Sequence, residues 1–328
     1  MKTLVENFTI QLQEALQIAN SAVLTPKKNI QNIIVTGLGG SGIGGSILSE
    51  LIQGECHVPI IINKDYFLPA FVNANSLVII SSYSGNTEET ISAMNEAITK
   101  KAQIICVTSG GEIAKIAHQH QFDCITIPGG NPPRSCIGYS LVQLLKIVQF
   151  NGFVKTDYLK QIENSIQLLN TEKENIKQEA TGIAKTLFGK IAVIYSLGSC
   201  EGVAVRFRQQ INENSKMLCW HHTFPEMNHN ELVGWTEKND DLAVVTFKTS
   251  FDFARTVKRY ELCTPLFSKF SSSVTDITAK GNSKLEQFMY LINIGDWISC
   301  YIADLKDIDA VEVNVITKLK NDLAQLGN

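Results

Sequence analysis

The densest run of reactive side chains lies between residues 206 and 231. It opens Arg206-Phe207-Arg208-Gln209-Gln210-Ile211-Asn212-Glu213-Asn214-Ser215-Lys216. It resumes at His221-His222-Thr223-Phe224-Pro225-Glu226-Met227-Asn228-His229-Asn230-Glu231. A carboxylate, an imidazole and a cation are the natural parts of a proton-transfer site. The first takes a proton, the second passes one on, and the third steadies the anion that forms. Residue type alone leaves Glu213 open to being a solvated carboxylate on a helix. The histidines raise a metal, but no His-Glu-x-x-His and no Cys/His ligand spacing accompanies them, so none is expected. His221 and His222 are expected in packing or at an interface, and Arg206 and Arg208 in structural ion pairs. Glu226 and Glu231 are candidates for orienting His229 or capping a turn. Trp220 and Trp235 read as core or interface residues.

A second cluster is rich in hydroxyls and glycine and poor in charge. Gly37-Leu38-Gly39-Gly40-Ser41-Gly42 follows a short apolar run, and Ser81-Ser82-Tyr83-Ser84-Gly85-Asn86-Thr87 follows another. Glycines let backbone approach a ligand, and the N–H groups that open a helix attract an anion. With no Lys or Arg beside them, Ser41, Ser82, Ser84 and Thr87 are suited to donate hydrogen bonds to one phosphate. Helix capping is the plain alternative for Ser82, Ser84 and Thr87. The glycine run also aligns with a dinucleotide fingerprint, and Asp65 lies near the acidic position that such a site wants.

The elements that must carry these clusters alternate between strand and helix. Strands are expected at 32–36, 58–62, 76–80, 104–108 and 124–127, with helices over 4–24, 46–52 and 88–100. Residues 139–185 read as mostly helical. The pattern then returns. Ile191-Ala192-Val193-Ile194-Tyr195 runs into Ser196-Leu197-Gly198-Ser199-Cys200-Glu201-Gly202 and a helix over 203–215. Strands follow at 242–247 and 273–277, with closing helices at about 283–303 and 310–326. Near-continuous apolar strands between helices imply parallel sheets covered on both faces. The expected class is therefore α/β, two doubly wound parallel-sheet units in tandem. Such sheets bind ligands outside the carboxyl ends of their strands.

Length and composition agree. The 328 residues, 44% hydrophobic and 19% charged, fit two packed domains. They are drawn here as 1–152, a helical connection over 153–185, and 186–328. A net charge of −3 with no basic run argues against a nucleic-acid partner. No apolar stretch reaches membrane-spanning length, and the first residues lack the apolar core of a secretory leader. The eight cysteines are scattered without a Cys-x-x-Cys pair. They read as free, buried thiols in a reducing cytoplasm.

Taken together, Gly39-Gly40-Ser41-Gly42 and Ser82-Tyr83-Ser84-Gly85-Asn86-Thr87-Glu88-Glu89-Thr90 resemble the signature of sugar-isomerase (SIS) domains, which bind phosphosugars. Asn131-Pro132-Pro133-Arg134, Asn212-Glu213-Asn214-Ser215-Lys216, Pro225-Glu226-Met227-Asn228-His229-Asn230-Glu231 and Ile316-Thr317-Lys318-Leu319-Lys320 extend the likeness along the chain. In that order they resemble the bifunctional phosphoglucose/phosphomannose isomerase family. The resemblance implies two SIS subdomains of flavodoxin-like type and an aldose–ketose isomerase acting on glucose and mannose 6-phosphates without cofactor or metal. By position it implies phosphate contacts at Gly40, Ser41, Ser82, Ser84 and Thr87. It makes Glu213 the base, His229 the ring opener and Arg134 the group that stabilises the enediolate. It places a lysine of the last helix, Lys320 with Lys318 as the competing position, at the ring oxygen. It also implies a homodimer in which His229 crosses to the neighbouring subunit. The chain departs from the family pattern at Asp309-Ala310, where Asp-Pro is common, and at Val311-Glu312-Val313, where a threonine is expected. The competing readings are a non-catalytic SIS-domain sensor, an NAD-dependent oxidoreductase and an amidotransferase-type SIS enzyme.

Overall fold

A computed structural model describes residues 1–198 and 200–325. Ser199 of the second glycine turn and residue 326 at the end of the expected last helix lie outside the described residues.

The N-terminal helical region forms two helices, α1 (Lys2–Glu6) and α2 (Phe8–Ser21), not the single 4–24 helix expected. The first unit then alternates: β1 (Asn32–Thr36), α3 (Gly39–Ile52), β2 (Ile60–Asn63), β3 (Ser76–Ser82), α4 (Glu88–Thr99), β4 (Gln103–Thr108), α5 (Gly111–Gln119) and β5 (Asp123–Thr126). Two helices link the units, α6 (Ile137–Phe150) and the 30-residue α7 (Tyr158–Leu187). The second unit holds β6 (Ile191–Ser196), α8 (Glu201–Ser215), β7 (Trp220–Thr223), β8 (Leu242–Lys248), α9 (Ala254–Phe270) and β9 (Ser273–Thr278). The chain closes with α10 (Lys284–Leu305) and α11 (Asn314–Gln325).

Both sheets are wholly parallel. Their orders are β2-β1-β3-β4-β5 and β7-β6-β8-β9, so the second repeats the first four places of the first. The cause is visible in the strands. Ile33, Ile34 and Val35 of β1 and Val193, Ile194 and Tyr195 of β6 are all inaccessible to solvent. Only a strand roofed on both faces is apolar at successive positions. Ile33 and Val35 face one core while Ile34 faces another, as the two-residue period requires. Ala192 and Ile194 join the same central core as Ile33 and Val35, whereas Val193 and Tyr195 pack beneath α9. A shared helical layer, with Leu12, Ile47, Leu144, Phe207 and Leu291 among its members, therefore separates the two sheets.

Three elements were not legible in the sequence, the first of them α5, for which no helix is expected between the strands at 104–108 and 124–127. β7 is a short edge strand whose Trp-His-His-Thr carries no apolar run, and α9 contains Pro265. The cysteines are free, but Cys124 is exposed, against the expectation of buried thiols. No helix among the described residues is long and apolar enough to cross a membrane.

Candidate active site

The hydroxyl cluster sits at the carboxyl ends of β1 and β3, neighbours in the sheet. Ser41 is buried, and its Oγ accepts the Tyr83 N–H at 2.9 Å. The Ser82 Oγ accepts the Gly85 N–H at 3.2 Å and shares a 3.0 Å bond with the Thr87 Oγ1. The Ser84 Oγ accepts the Asn86 N–H at 3.3 Å. Thr87 occupies the cap position of α4, yet its side chain makes no cap bond. The capping alternative therefore does not describe Thr87. The chemistry of the arrangement is in its direction. The fold uses Ser41, Ser82 and Ser84 as acceptors of backbone N–H groups. A hydroxyl used as an acceptor keeps its own proton to give. Ser41, Ser84 and one of the Ser82–Thr87 pair retain an O–H for an external acceptor.

Glycine is required here by space. A Cβ on Gly40 would lie 2.7 Å from the Pro133 carbonyl oxygen, and one on Gly37 would lie 2.4 Å from that of Ser81. The first contact seats the Asn131-Pro132-Pro133-Arg134 segment directly on the start of α3. Gly40, Ser41, Ser81, Tyr83 and Pro133 line one tightly packed crevice. Burial pushes the Tyr83 phenol up to about 12, so it stays protonated beside them.

From that crevice the chain leads to the second cluster. Arg134 lies in a 3₁₀ turn over Pro133–Ser135, and its Nη1 donates to the Glu213 Oε2 at 3.2 Å. Its Nε donates to the Asn214 Oδ1 at 2.7 Å, and its Nη2 donates to the carbonyls of Ala310 (2.6 Å) and Val311 (3.0 Å). The Arg134 side chain is 5% exposed while that of Glu213 is 28% exposed. The cation is thus set in the protein and the carboxylate is partly accessible to solvent. Burial lowers the Arg134 guanidinium from its ordinary value and the Glu213 carboxylate pulls it back up.

Lys216 was not singled out by sequence. It ends α8 in a left-handed conformation (φ 51°), and its Nζ donates to the carbonyls of Glu213 at 2.5 Å and Glu312 at 2.6 Å. Burial, and next the Arg134 charge, lower its pKa. Together Arg134 and Lys216 bind the 310–312 strap over the end of α8.

The other predicted residues stand apart from this cluster. His229, in a 3₁₀ turn over Glu226–His229, is exposed, and no described residue hydrogen-bonds its ring. Neither candidate orienter serves it. Glu226 accepts from the Asn230 side chain at 2.9 Å, and Glu231 accepts from the Tyr195 hydroxyl and, at 3.4 Å, from the Trp220 indole. Lys320 is exposed on α11, and Lys318 pairs with Asp322 of the same helix at 2.7 Å. His221 and His222 are half-buried on the edge strand β7. Burial and the Arg208 charge lower His221 to about 4, which keeps it neutral at ordinary pH. Arg206 is buried against Asp296, as expected of an ion pair, whereas Arg208 makes none among the described residues. Trp235 is buried and its indole donates to the Tyr195 hydroxyl at 3.1 Å.

The buried charge that sequence reasoning missed is Asp296, the partner of Arg206. A signal existed: it is a lone carboxylate in the apolar stretch Met289–Cys300, and a buried charge needs a partner.

Comparison with known proteins places the chain in a family. The model for the bacterial phospho-glucose isomerase C-terminal SIS domain matches residues 176–323. A curated bifunctional phosphoglucose/phosphomannose isomerase from Caldicellulosiruptor bescii is 38% identical, with 98% of each chain covered. The chain belongs to the bifunctional phosphoglucose/phosphomannose isomerase family. A second such relative, from Aquifex aeolicus, is 34% identical over 92% of each chain. The fold is also that of the C-terminal domain of glucosamine-fructose-6-phosphate aminotransferase from Francisella tularensis. That match has a TM-score of 0.75 at 13% identity and covers 94% of this chain and 97% of the other.

Proposed function

We propose that this isomerase interconverts glucose 6-phosphate and mannose 6-phosphate with fructose 6-phosphate through a cis-enediolate. One observation carries the reading beyond family membership. Glu213 and Arg134, from opposite halves of the chain, meet at 3.2 Å, and the Arg134 segment rests on the glycine turn of the hydroxyl cluster.

In this reading the phosphate takes the free O–H protons of Ser41, Ser84 and the Ser82–Thr87 pair, together with backbone N–H groups near Gly40. His229 opens the sugar ring by passing a proton to the ring oxygen, aided by Lys320. Glu213 then removes the C2 proton and returns it to C1. Charge builds on the oxygens of the enediolate, and the buried Arg134 offers fixed positive charge to them. A preorganised cation of this kind costs no reorganisation as the charge develops. If the carboxylate reaches the proton of either C2 epimer, both aldoses lead to one ketose.

The exposed ring of His229 supports a homodimer in which His229 completes the site of the neighbouring subunit. The scattered free thiols support a cytoplasmic location.

The test is a coupled assay for fructose 6-phosphate, fed glucose 6-phosphate or mannose 6-phosphate separately, with EDTA present. Turnover of both aldoses is expected. Conversion of neither, by protein verified as folded, sinks the reading. Conversion of glucose 6-phosphate alone removes the epimer tolerance.

A further inference from the structure

Beneath Arg134 lies a buried polar network that the reaction does not itself require. Asp296 of α10 is 4% exposed and Arg206 of α8 is 3% exposed, and they form a two-pronged ion pair. Gln210, one helical turn beyond Arg206, donates its Nε2 to the Asp296 Oδ1 at 2.8 Å. Both donors then converge on one acceptor: the Arg206 Nη2 and the Gln210 Nε2 reach the Arg134 carbonyl oxygen at 3.0 and 3.2 Å.

The same amide reaches the other end of Arg134. The Asn214 Nδ2 donates to the Gln210 Oε1 at 3.2 Å and to the Ser299 Oγ at 3.0 Å, while the Asn214 Oδ1 accepts from the Arg134 Nε at 2.7 Å. The bonds close a ring that runs from Arg134 Nε through Asn214 and Gln210 back to Arg134 C=O. Residues 206, 210 and 214 recur every four positions along α8, so a single helix face presents all three.

We propose that Gln210, held by the Asp296–Arg206 pair, is a positioning residue that locks the Arg134 side chain to its own backbone in the orientation facing Glu213. This rests on the reading of Arg134 as the group that stabilises the enediolate. The physical reason is economy of motion. An arginine side chain has several rotatable bonds and ordinarily samples many rotamers. Here the carbonyl at its root and the Nε near its tip are tied to one amide pair. The guanidinium therefore meets the developing charge without first being ordered. A buried ion pair adds little net stability by comparison with an apolar replacement, and orienting Gln210 and the Arg134 carbonyl gives this one a use.

Three variants, Gln210→Met, Arg134→Ala and the double variant, test the assignment in the full-length enzyme. Gln210→Met keeps the side-chain length while deleting both donors and the acceptor. It is expected to lower kcat roughly 10-fold or more with KM within about twofold, because the phosphate contacts lie elsewhere. In the Arg134→Ala background the same change is expected to cost less than about twofold, since there is no guanidinium left to position. Unchanged kcat in Gln210→Met, or losses that multiply in the double variant, overturns the positioning role while leaving Arg134 as assigned. Full activity in Arg134→Ala overturns the reading of Arg134 and this inference with it. Should Gln210→Met not fold, Gln210→Asn keeps the amide but draws it back by one methylene, and the same criteria apply to it.

Discussion

The two sheets of this chain share the order of four strands, and a glycine-containing segment follows the first strand of each, yet their loops differ in what satisfies them. After β3, the hydroxyls of Ser82 and Ser84 accept backbone N–H groups, and Ser84 and one of the Ser82–Thr87 pair keep a proton to give. After β8, at the corresponding place, the Thr249 N–H and Oγ1 both donate to the Asp252 carboxylate, at 2.6 and 2.9 Å. Ser250 exchanges two bonds with the Gln287 amide, at 2.9 and 2.7 Å. At the start of α8 the Gly202 N–H donates to the Glu50 Oε1 of α3 at 2.6 Å. At the ends of β6 and β8 the backbone N–H groups are thus met by carboxylates, Asp252 of the second unit and Glu50 of the first. One architecture supports two outcomes: in the proposed function a loop whose serines turn acceptor to the backbone is left able to donate to an anion, whereas a loop met by the chain's own acidic side chains is not. In the second unit the far end of α8 carries Glu213 to Arg134.

That contrast can be broken in several ways. The largest effect belongs to the second unit. Glu213→Gln is expected to lower kcat by about 10²–10⁴-fold, as loss of a general base does, while competitive inhibition by inorganic phosphate stays unchanged. Steady-state kinetics with phosphate as inhibitor checks both. Next come the loops. Ser84→Ala in the first unit is expected to raise KM about 10–100-fold with little change in kcat, the scale of a lost hydrogen bond to a charged group. Thr249→Val in the second should leave KM within about twofold. Equal effects at both loops would erase the distinction.

Smaller still is the packing term. Gly40→Ala drives a methyl into the Pro133 carbonyl at 2.7 Å and is expected to cost about 1–3 kcal/mol of stability in denaturant melts. Gly54→Ala, whose Cβ would meet nothing within 4 Å, is the matched control.

The smallest effect is a pH slope. Burial, opposed by the Gly202 N–H and reinforced by Glu201, raises Glu50 from 4.5 to about 7. Between those values the folded state keeps a proton that the unfolded chain has lost. Folding therefore takes up a proton, and stability falls as pH rises through that window. Glu50→Gln should flatten the decline, which is on the order of 1–2 kcal/mol between pH 5 and 7. Melts at both pH values read it directly. An unchanged slope would mean that Glu50 is already ionised against α8.

Much of the fold was written locally. Apolar runs of strand length, glycine turns and helical stretches recur in an order that only a parallel α/β protein has, and the hydroxyls of the first loop are named by their spacing. Where the pattern was weak the reading failed. β7 has no apolar run to reveal it, and α9 carries a proline. The acidic substitutes of the second loop were equally hidden, because Glu50 reaches Gly202 from 152 residues away.

Sequence by itself supplied most of the elements, the hydroxyl cluster as a candidate phosphate site and, through family likeness, Glu213 and Arg134 as candidate site residues. Tertiary structure alone decided that these two side chains, 79 residues apart, touch, and that Asp296 meets Arg206 across 90 residues. The reason lies in range. Backbone dihedrals, turn preferences and side-chain periodicity are set by near neighbours and are legible in a short window. Buried hydrogen bonds are set by which helix faces the hydrophobic core presses together, and no single window contains both partners.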